Sequence, residues 1–341
     1  MIHGGDIYRN EVELDVSINV NPLGMPESVR QALLQAVSDC TKYPDPEVER
    51  LTEAVRKVLG VKETSILFGN GASELFQAVV HTIRPKKTLI PVPSFYGYEY
   101  AAHCVDGEIC YWEMKRENGY SLDETIFPEL EKGVELVFLA NPNNPTGCLL
   151  DRELLERVLT YCREKQIYVV LDECFIEFCE EGESMLPKLA DYPNLILVRA
   201  FTKIFAIPGV RIGYLLSENA SLVRKIKRHL PEWNISTFAE AAGVACASEW
   251  EFVEQTKVFL KEERNFLAEG LRKAGLTVFP GAANFLLVQT EVPLFEELLK
   301  RKILVRDCSN FRGLGQGFYR IAVKSREENR KLLEKIGEIE Q

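Results

Sequence analysis

The 341 residues are 46% hydrophobic and 27% charged, the balance of a water-soluble globular chain long enough for roughly two domains of about 150 residues each. Fifty-one acidic against forty-one basic side chains leave a net charge of -10, which argues against a sequence-independent grip on nucleic acid or anionic lipid, so any anionic ligand must be held locally. No apolar run approaches the roughly 20 residues of a membrane span, and the opening Met-Ile-His-Gly-Gly-Asp lacks the basic-then-apolar order of a secretion signal, so a cytoplasmic protein is expected.

The chain opens with a turn cluster, Asn19 to Gly24, before a helix predicted over Glu27 to Ser38. Short apolar runs then alternate with amphipathic segments, the pattern of a mostly parallel sheet covered on both faces. Strands are predicted near Ser65 to Phe68, Thr88 to Val92, Glu135 to Ala140, Tyr168 to Asp172, Leu195 to Ala200 and Arg211 to Leu216. Between two of them, Asp151 to Gln166 opens on an acidic capping residue and spaces Leu154, Val158 and Tyr161 as a crossover helix does. After Leu230-Pro231 a long helix is predicted over Phe238 to Ala274, followed by a strand at Ala283 to Gln289. These elements suggest residues 41–230 as a large α/β domain and 231–341 as a smaller one, with residues 1–40 as an arm packed against the latter.

The nine cysteines are scattered, with no Cys-x-x-Cys pair, and the four histidines never stand at the i, i+4 spacing of a helical metal site, so no metal is expected and the thiols read as reduced. Chemistry gathers instead at predicted strand ends. Lys203 follows a buried strand among Phe201, Ile204 and Phe205, and desolvation there lowers an amine's pKa and frees the neutral nucleophile that Schiff-base chemistry needs. Asn141-Pro-Asn-Asn144-Pro-Thr-Gly147 and Leu171-Asp172-Glu173-Cys-Phe175 follow two other strands, and Arg211 stands eight residues beyond Lys203. In open parallel sheets, ligands sit at strand C-terminal ends. Gly69-Asn-Gly71-Ala72-Ser73 joins a strand to a helix whose free N–H groups suit a phosphate. It lacks both the G-x-G-x-x-G spacing and the P-loop lysine, so nucleotide binding is not the favoured reading.

Asn-Asn-Pro-Thr-Gly, Asp-Glu-x-Phe, Thr-Lys and Pro-Gly-x-Arg-x-Gly-Tyr, in this order, resemble the fold-type-I pyridoxal-phosphate enzymes, the aminotransferase class I and II superfamily, over nearly the whole chain. The resemblance implies an aspartate aminotransferase-like α/β fold with a mostly parallel sheet in the large domain and a smaller α+β domain. Within the superfamily the chain is most similar to the threonine-phosphate decarboxylases of the cobalamin pathway, and next to the histidinol-phosphate aminotransferases. The stretches that carry this are His3-Gly-Gly-Asp6, Ile18-Asn-Val-Asn-Pro-Leu-Gly24, Lys42-Tyr-Pro-Asp45, Ala206-Ile-Pro-Gly209, Pro280-Gly-Ala-Ala-Asn284-Phe and Phe318-Tyr-Arg320-Ile-Ala-Val.

Carried over motif by motif, the resemblance implies pyridoxal phosphate attached to Lys203, with Asp172 against its ring nitrogen and Asn144 on its 3-oxygen. It implies Phe95 stacked on the ring, and Gly71, Ala72, Ser73, Thr202 and Arg211 around the phosphate. Tyr43 is expected to reach the phosphate of a neighbouring subunit, which makes the protein a homodimer with shared active sites. Arg320 matches the clamp on a substrate α-carboxylate, and Arg306, His3 and Asn21 are expected to grip a second anion, the phosphate of a phosphorylated amino acid. Two departures stand out. Phe175 replaces the aminotransferase tyrosine, which is the decarboxylase-like state. Leu230-Pro-Glu-Trp-Asn-Ile-Ser236 departs from the decarboxylases' Met-Pro-Trp-Ser-Val-Asn. The expected activity is decarboxylation of a phosphorylated amino acid, with amino transfer to 2-oxoglutarate as the alternative.

Overall fold

Seven short strands form the central sheet of the computed structural model, which describes residues 4–179 and 183–339. They are β1 (Ser65–Gly69), β2 (Lys87–Val92), β3 (Glu108–Glu113), β4 (Leu136–Ala140), β5 (Tyr168–Asp172), β6 (Leu195–Ala200) and β7 (Gly213–Ser217), in the order β3-β2-β4-β5-β6-β7-β1. Every pairing is parallel except those of β7, which runs antiparallel to both β6 and β1. The interior strand β4, Leu-Val-Phe-Leu-Ala, is buried at every position. A strand covered on both faces requires such a run, and each of its large side chains contributes about 1.5 to 3 kcal/mol by leaving water.

The helices that matter for the site are α1 (Glu27–Ala36), α2 (Ala72–Ile83), α3 (Arg152–Glu164), α4 (Thr237–Cys246) and α5 (Trp250–Lys273). Asp151 caps α3 as its sequence suggests, its carboxylate accepting the Leu154 N–H at 2.9 Å. The single helix predicted over Phe238 to Ala274 is two: Ser248 N–H and Glu249 N–H turn back to Ala245 O and Cys246 O and close α4, while Ser28 of α1 donates to the Glu249 carboxylate. The edge strand β3 went unpredicted because its Glu-Ile-Cys-Tyr-Trp-Glu run is short and charged at both ends, as exposed edges tend to be.

A second, antiparallel sheet holds β8 (Thr277–Val278), β9 (Phe285–Gln289), β10 (Arg306–Asp307) and β11 (Phe318–Ala322) in the order β10-β11-β9-β8. The N-terminal arm is stitched to this region. Leu14–Asp15 pairs in parallel with Ile303–Leu304, Val16 N–H donates to Leu304 O at 2.9 Å, and Ala322 N–H donates to Val16 O at 2.8 Å. Helix α1 packs against α4. No helix among the described residues is long and apolar enough to cross a membrane.

Candidate active site

The sheet's strand order brings distant residues to one edge. β4, β5 and β6 are parallel, so Ala140, Asp172 and Ala200 end side by side, with Asp172 facing both Ala140 and Val198 in register. Because β7 runs the other way, its first residue, Gly213, lies beside Ala200 and also beside Gly69, the last residue of β1. Residues just before β7 and just after β1 therefore meet those that follow β5 and β6. A cavity of about 420 Å3 opens there, with Asp172, Lys203 and Arg211 among its walls on the large-sheet side and Arg306 and Arg320 on the small-sheet side.

Asp172 is buried, its Oδ2 accepting the Tyr98 hydroxyl at 2.6 Å and its Oδ1 accepting Cys174 N–H at 2.9 Å. Burial raises its pKa above the usual carboxylate value, those hydrogen bonds acting the other way. A cationic N–H set against this carboxylate would offset that burial cost. Lys203, on the one-turn helix Phe201–Ile204, keeps part of its surface open to the cavity. Burial, then the charges of Arg320 and Arg211, bring its amine down to about 8.

Gly71 begins α2 with φ +80, and no side chain among the described residues caps that helix. A Cβ at Gly71 would stand 2.3 Å from the Arg211 guanidinium, so glycine here supplies space as well as a left-handed turn. Its N–H is spent on Gly69 O at 2.7 Å. Arg211 itself has φ +62 and precedes β7 instead of starting it, a correction to the strand predicted from Arg211. Its guanidinium donates to Pro208 O and Asn70 O, and among the described residues no carboxylate pairs with it. The uncapped start of α2 beside an arginine is suited to a phosphate. Ala72, Ser73, Thr202 and Phe95 all line the cavity.

On the opposite wall, Arg306 and Arg320 are cross-strand partners in β10 and β11. Like charges placed directly opposite destabilise a sheet. Burial brings Arg320 down to about 10 and lowers Arg306, and Arg306's charge lowers Arg320 further. Arg320 Nη1 donates to Asn144 Oδ1 at 2.6 Å and Nη2 to Ser17 O at 2.9 Å, while its buried Nε has no acceptor among the described residues. Arg306 donates to Asp307 O at 2.6 Å and Asn310 Oδ1 at 2.8 Å and lies over the Phe311 ring. Both stay charged near neutral pH, and an anion between the two arginines would offset their repulsion. Phe175 borders the same cavity, edge-on to Phe285, with no hydroxyl to offer.

One expected contact falls elsewhere. Asn21 is not among the cavity's described walls: it lies behind the lysine turn, its side chain bonded to Ile204 O, Thr256 and Leu23 N–H. Tyr43 is 82% exposed, with its ring against Trp233. His3 lies outside the described residues. The divergent segment 230–236 does not border the cavity either; Ser236 caps α4 and Asn234 bonds Phe68 O and Glu74. Sequence reasoning passed over Tyr98, whose hydroxyl meets Asp172, and Ser17, whose carbonyl meets Arg320. Tyr98 carried a signal, a third aromatic after Phe95 and Tyr96 at a strand end; Ser17 carried none, because only its backbone acts.

Residues 11–336 match the family model for aminotransferase class I and II. A threonine-phosphate decarboxylase from Salmonella typhimurium is 34% identical, the match covering 97% of this chain and 94% of the relative. Among solved structures, a histidinol-phosphate aminotransferase from Clostridium acetobutylicum superposes with a TM-score of 0.90 at 34% identity, covering 95% of this chain and 98% of that one. An L-threonine-O-3-phosphate decarboxylase from Porphyromonas gingivalis superposes with a TM-score of 0.83 at 25% identity, covering 95% and 98%. Overall identity does not separate the two activities, so the discrimination falls to the cavity.

Proposed function

We propose that this chain, which belongs to the aminotransferase class I and II family, is a pyridoxal-phosphate enzyme that decarboxylates a phosphorylated amino acid of the threonine-phosphate class. The observation that carries the substrate is the pair of buried arginines facing one cavity from adjacent strands, Arg306 and Arg320. A phosphorylated amino acid brings two anions, a carboxylate and a phosphate, one for each guanidinium.

The residues present fit the cofactor. The uncapped start of α2, Arg211 and the space kept by Gly71 suit its phosphate, and Asp172 offers a buried carboxylate for its ring nitrogen. Asn144, Thr202 and Phe95 line the same cavity and would supply further polar and aromatic contacts. When bound, pyridoxal phosphate supplies an aldehyde that condenses with amines and a ring that takes up the electron pair left at Cα. Lys203, with an amine near 8, can hold or give up a proton at Nζ near neutral pH. Loss of the carboxylate as carbon dioxide leaves Cα needing one proton, and Lys203 delivers it. Arg320, fixed by Asn144 and Ser17, orients the carboxylate by a planar fork that lysine lacks. Arg306 holds the phosphate end. Phe175 supports decarboxylation over transfer by leaving that part of the wall without a phenol.

The working enzyme in this reading is a cytoplasmic homodimer. Supporting it, Tyr43 and Trp233 pack against each other with their rings tilted by 35° while both stay exposed, at 82% and 45%. The test is to incubate holoenzyme with O-phosphothreonine, O-phosphoserine and histidinol phosphate, each with 2-oxoglutarate, and to follow carbon dioxide and glutamate separately. Carbon dioxide without glutamate is expected; glutamate without carbon dioxide would make the chain an aminotransferase.

A further inference from the structure

Asn21 is 2% exposed, and its polar groups are all committed. Its backbone N–H donates to Lys203 O at 3.0 Å, its Nδ2 donates to Ile204 O at 2.7 Å and to Thr256 Oγ1 at 2.8 Å, and its Oδ1 accepts Leu23 N–H at 3.0 Å. Phe201–Ile204 is a single helical turn; Lys203 O accepts Ala206 N–H at 3.3 Å, and the last carbonyls of so short a helix draw further donors from outside it. Asn21 supplies donors to the last two. Thr256, fully buried on α5, gives its own proton to Phe252 O at 2.8 Å and leaves an oxygen lone pair for Asn21. The lysine turn is thereby fastened to α5 through one amide. The same arm accepts Arg320 at Ser17 O, four residues earlier.

We propose that Asn21 is a positioning residue for Lys203: it clamps the carbonyls of residues 203 and 204 to α5 and fixes the backbone from which the amine reaches the cavity, without itself touching substrate. The proposal rests on Lys203 being the reactive amine of the preceding reading. The groups that face this amine are Arg320, Arg211, Cys174 and Asp172. An unclamped turn lets the amine drift from the two arginines and take up water, and both changes return it toward an ordinary lysine.

The test needs no substrate in its first arm. The full-length chain, freed of cofactor, is pulsed with trace acetic anhydride between about pH 6 and about pH 11, a range that spans free and ordinary lysine behaviour, and acetylation at Lys203 is read by peptide mass spectrometry. In wild type the midpoint should lie near 8. Asn21→Ala should move it upward, and in the holoenzyme lower kcat about 10- to 100-fold, the scale of a lost buried hydrogen-bond partner, with KM within about threefold. Thr256→Val should act in the same direction but less, and Thr256→Ser, which keeps the hydroxyl, should match wild type. An unchanged Lys203 profile in folded Asn21→Ala overturns the proposal, as does a raised KM at unchanged kcat, which would make Asn21 a substrate contact. Should Asn21→Ala not fold, an unchanged profile in Thr256→Val overturns it equally. Failure of the underlying reading looks different, because Lys203 of the wild type would then label like a surface lysine.

Discussion

The large-sheet wall of the cavity takes Asp172, Lys203 and Arg211 from within three residues of a strand end, whereas the small-sheet wall holds Arg320 by bonds from residues 176 and 303 positions away. The first wall is set by local chain geometry: parallel strands stop, the chain turns, and a polar side chain lands on the sheet edge. The second is set by tertiary assembly, in which the N-terminal arm and the Asn144 turn converge on two cross-strand arginines. The electrostatics differ as well. Asp172 already holds two hydrogen bonds, while Arg320 keeps a buried Nε with no acceptor among the described residues. One wall is organised before any ligand arrives, and the other is completed by the ligand's charge.

Substitutions on the large-sheet wall should therefore strike the chemistry, and those on the small-sheet wall the choice of substrate. Lys203→Ala should have the largest effect, cutting turnover at least about 1000-fold, since it removes both the amine nucleophile and the proton carrier; steady-state assays on folded protein check this. Asp172→Asn comes next. It should retain the cofactor, as measured by its absorption after dialysis, yet slow turnover about 100-fold or more because a neutral pyridine is a poorer electron sink. Near wild-type turnover would remove Asp172 from the mechanism.

On the opposite wall, Arg320→Ala should weaken phosphorylated and unphosphorylated amino acids alike by about 10- to 150-fold in kcat/KM, the equivalent of a charged hydrogen bond of about 1.5 to 3 kcal/mol. Arg306→Ala should impose that loss on the phosphorylated substrate alone. Equal losses on both substrates would make Arg306 structural. The pH dependence ties the walls together, because two arginines help to lower Lys203. Below about 8 the amine is protonated and inert toward an aldehyde, so cofactor uptake by the apoprotein should rise about tenfold per pH unit up to that point and level off above it. In Arg320→Ala the midpoint should move upward, since a neighbouring positive charge has gone. The smallest effect is expected from Gly71→Ala. A Cβ there displaces Arg211 and strains a residue at φ +80, which should weaken cofactor affinity about tenfold, measured by fluorescence titration.

The same contrast explains what the sequence could disclose. Asp172, Asn144, Lys203 and Arg211 were legible because each follows or precedes an apolar run, and strand period and strand end can be read along the chain. Arg306 and Arg320 were legible only as members of matching motifs; their facing each other depends on the β10-β11 register, which no local pattern states. Asn21 shows the limit most clearly. An asparagine before Pro-Leu-Gly reads as a turn or a ligand contact, and only the approach of α5 and the lysine turn shows that its amide is spent on backbone carbonyls. The predicted helix from Phe238 to Ala274 is broken where Ser248 and Glu249 N–H turn back to Ala245 O and Cys246 O, and the Glu249 carboxylate there meets Ser28 of α1, far away in sequence.

The account stands or falls on the amine at the centre of the cavity. Borohydride reduction of the holoenzyme followed by peptide mapping measures it directly. A single pyridoxyl group on Lys203 is the predicted result; the same group on any other lysine, or none on the chain, would contradict the assignment of this cavity as the active site.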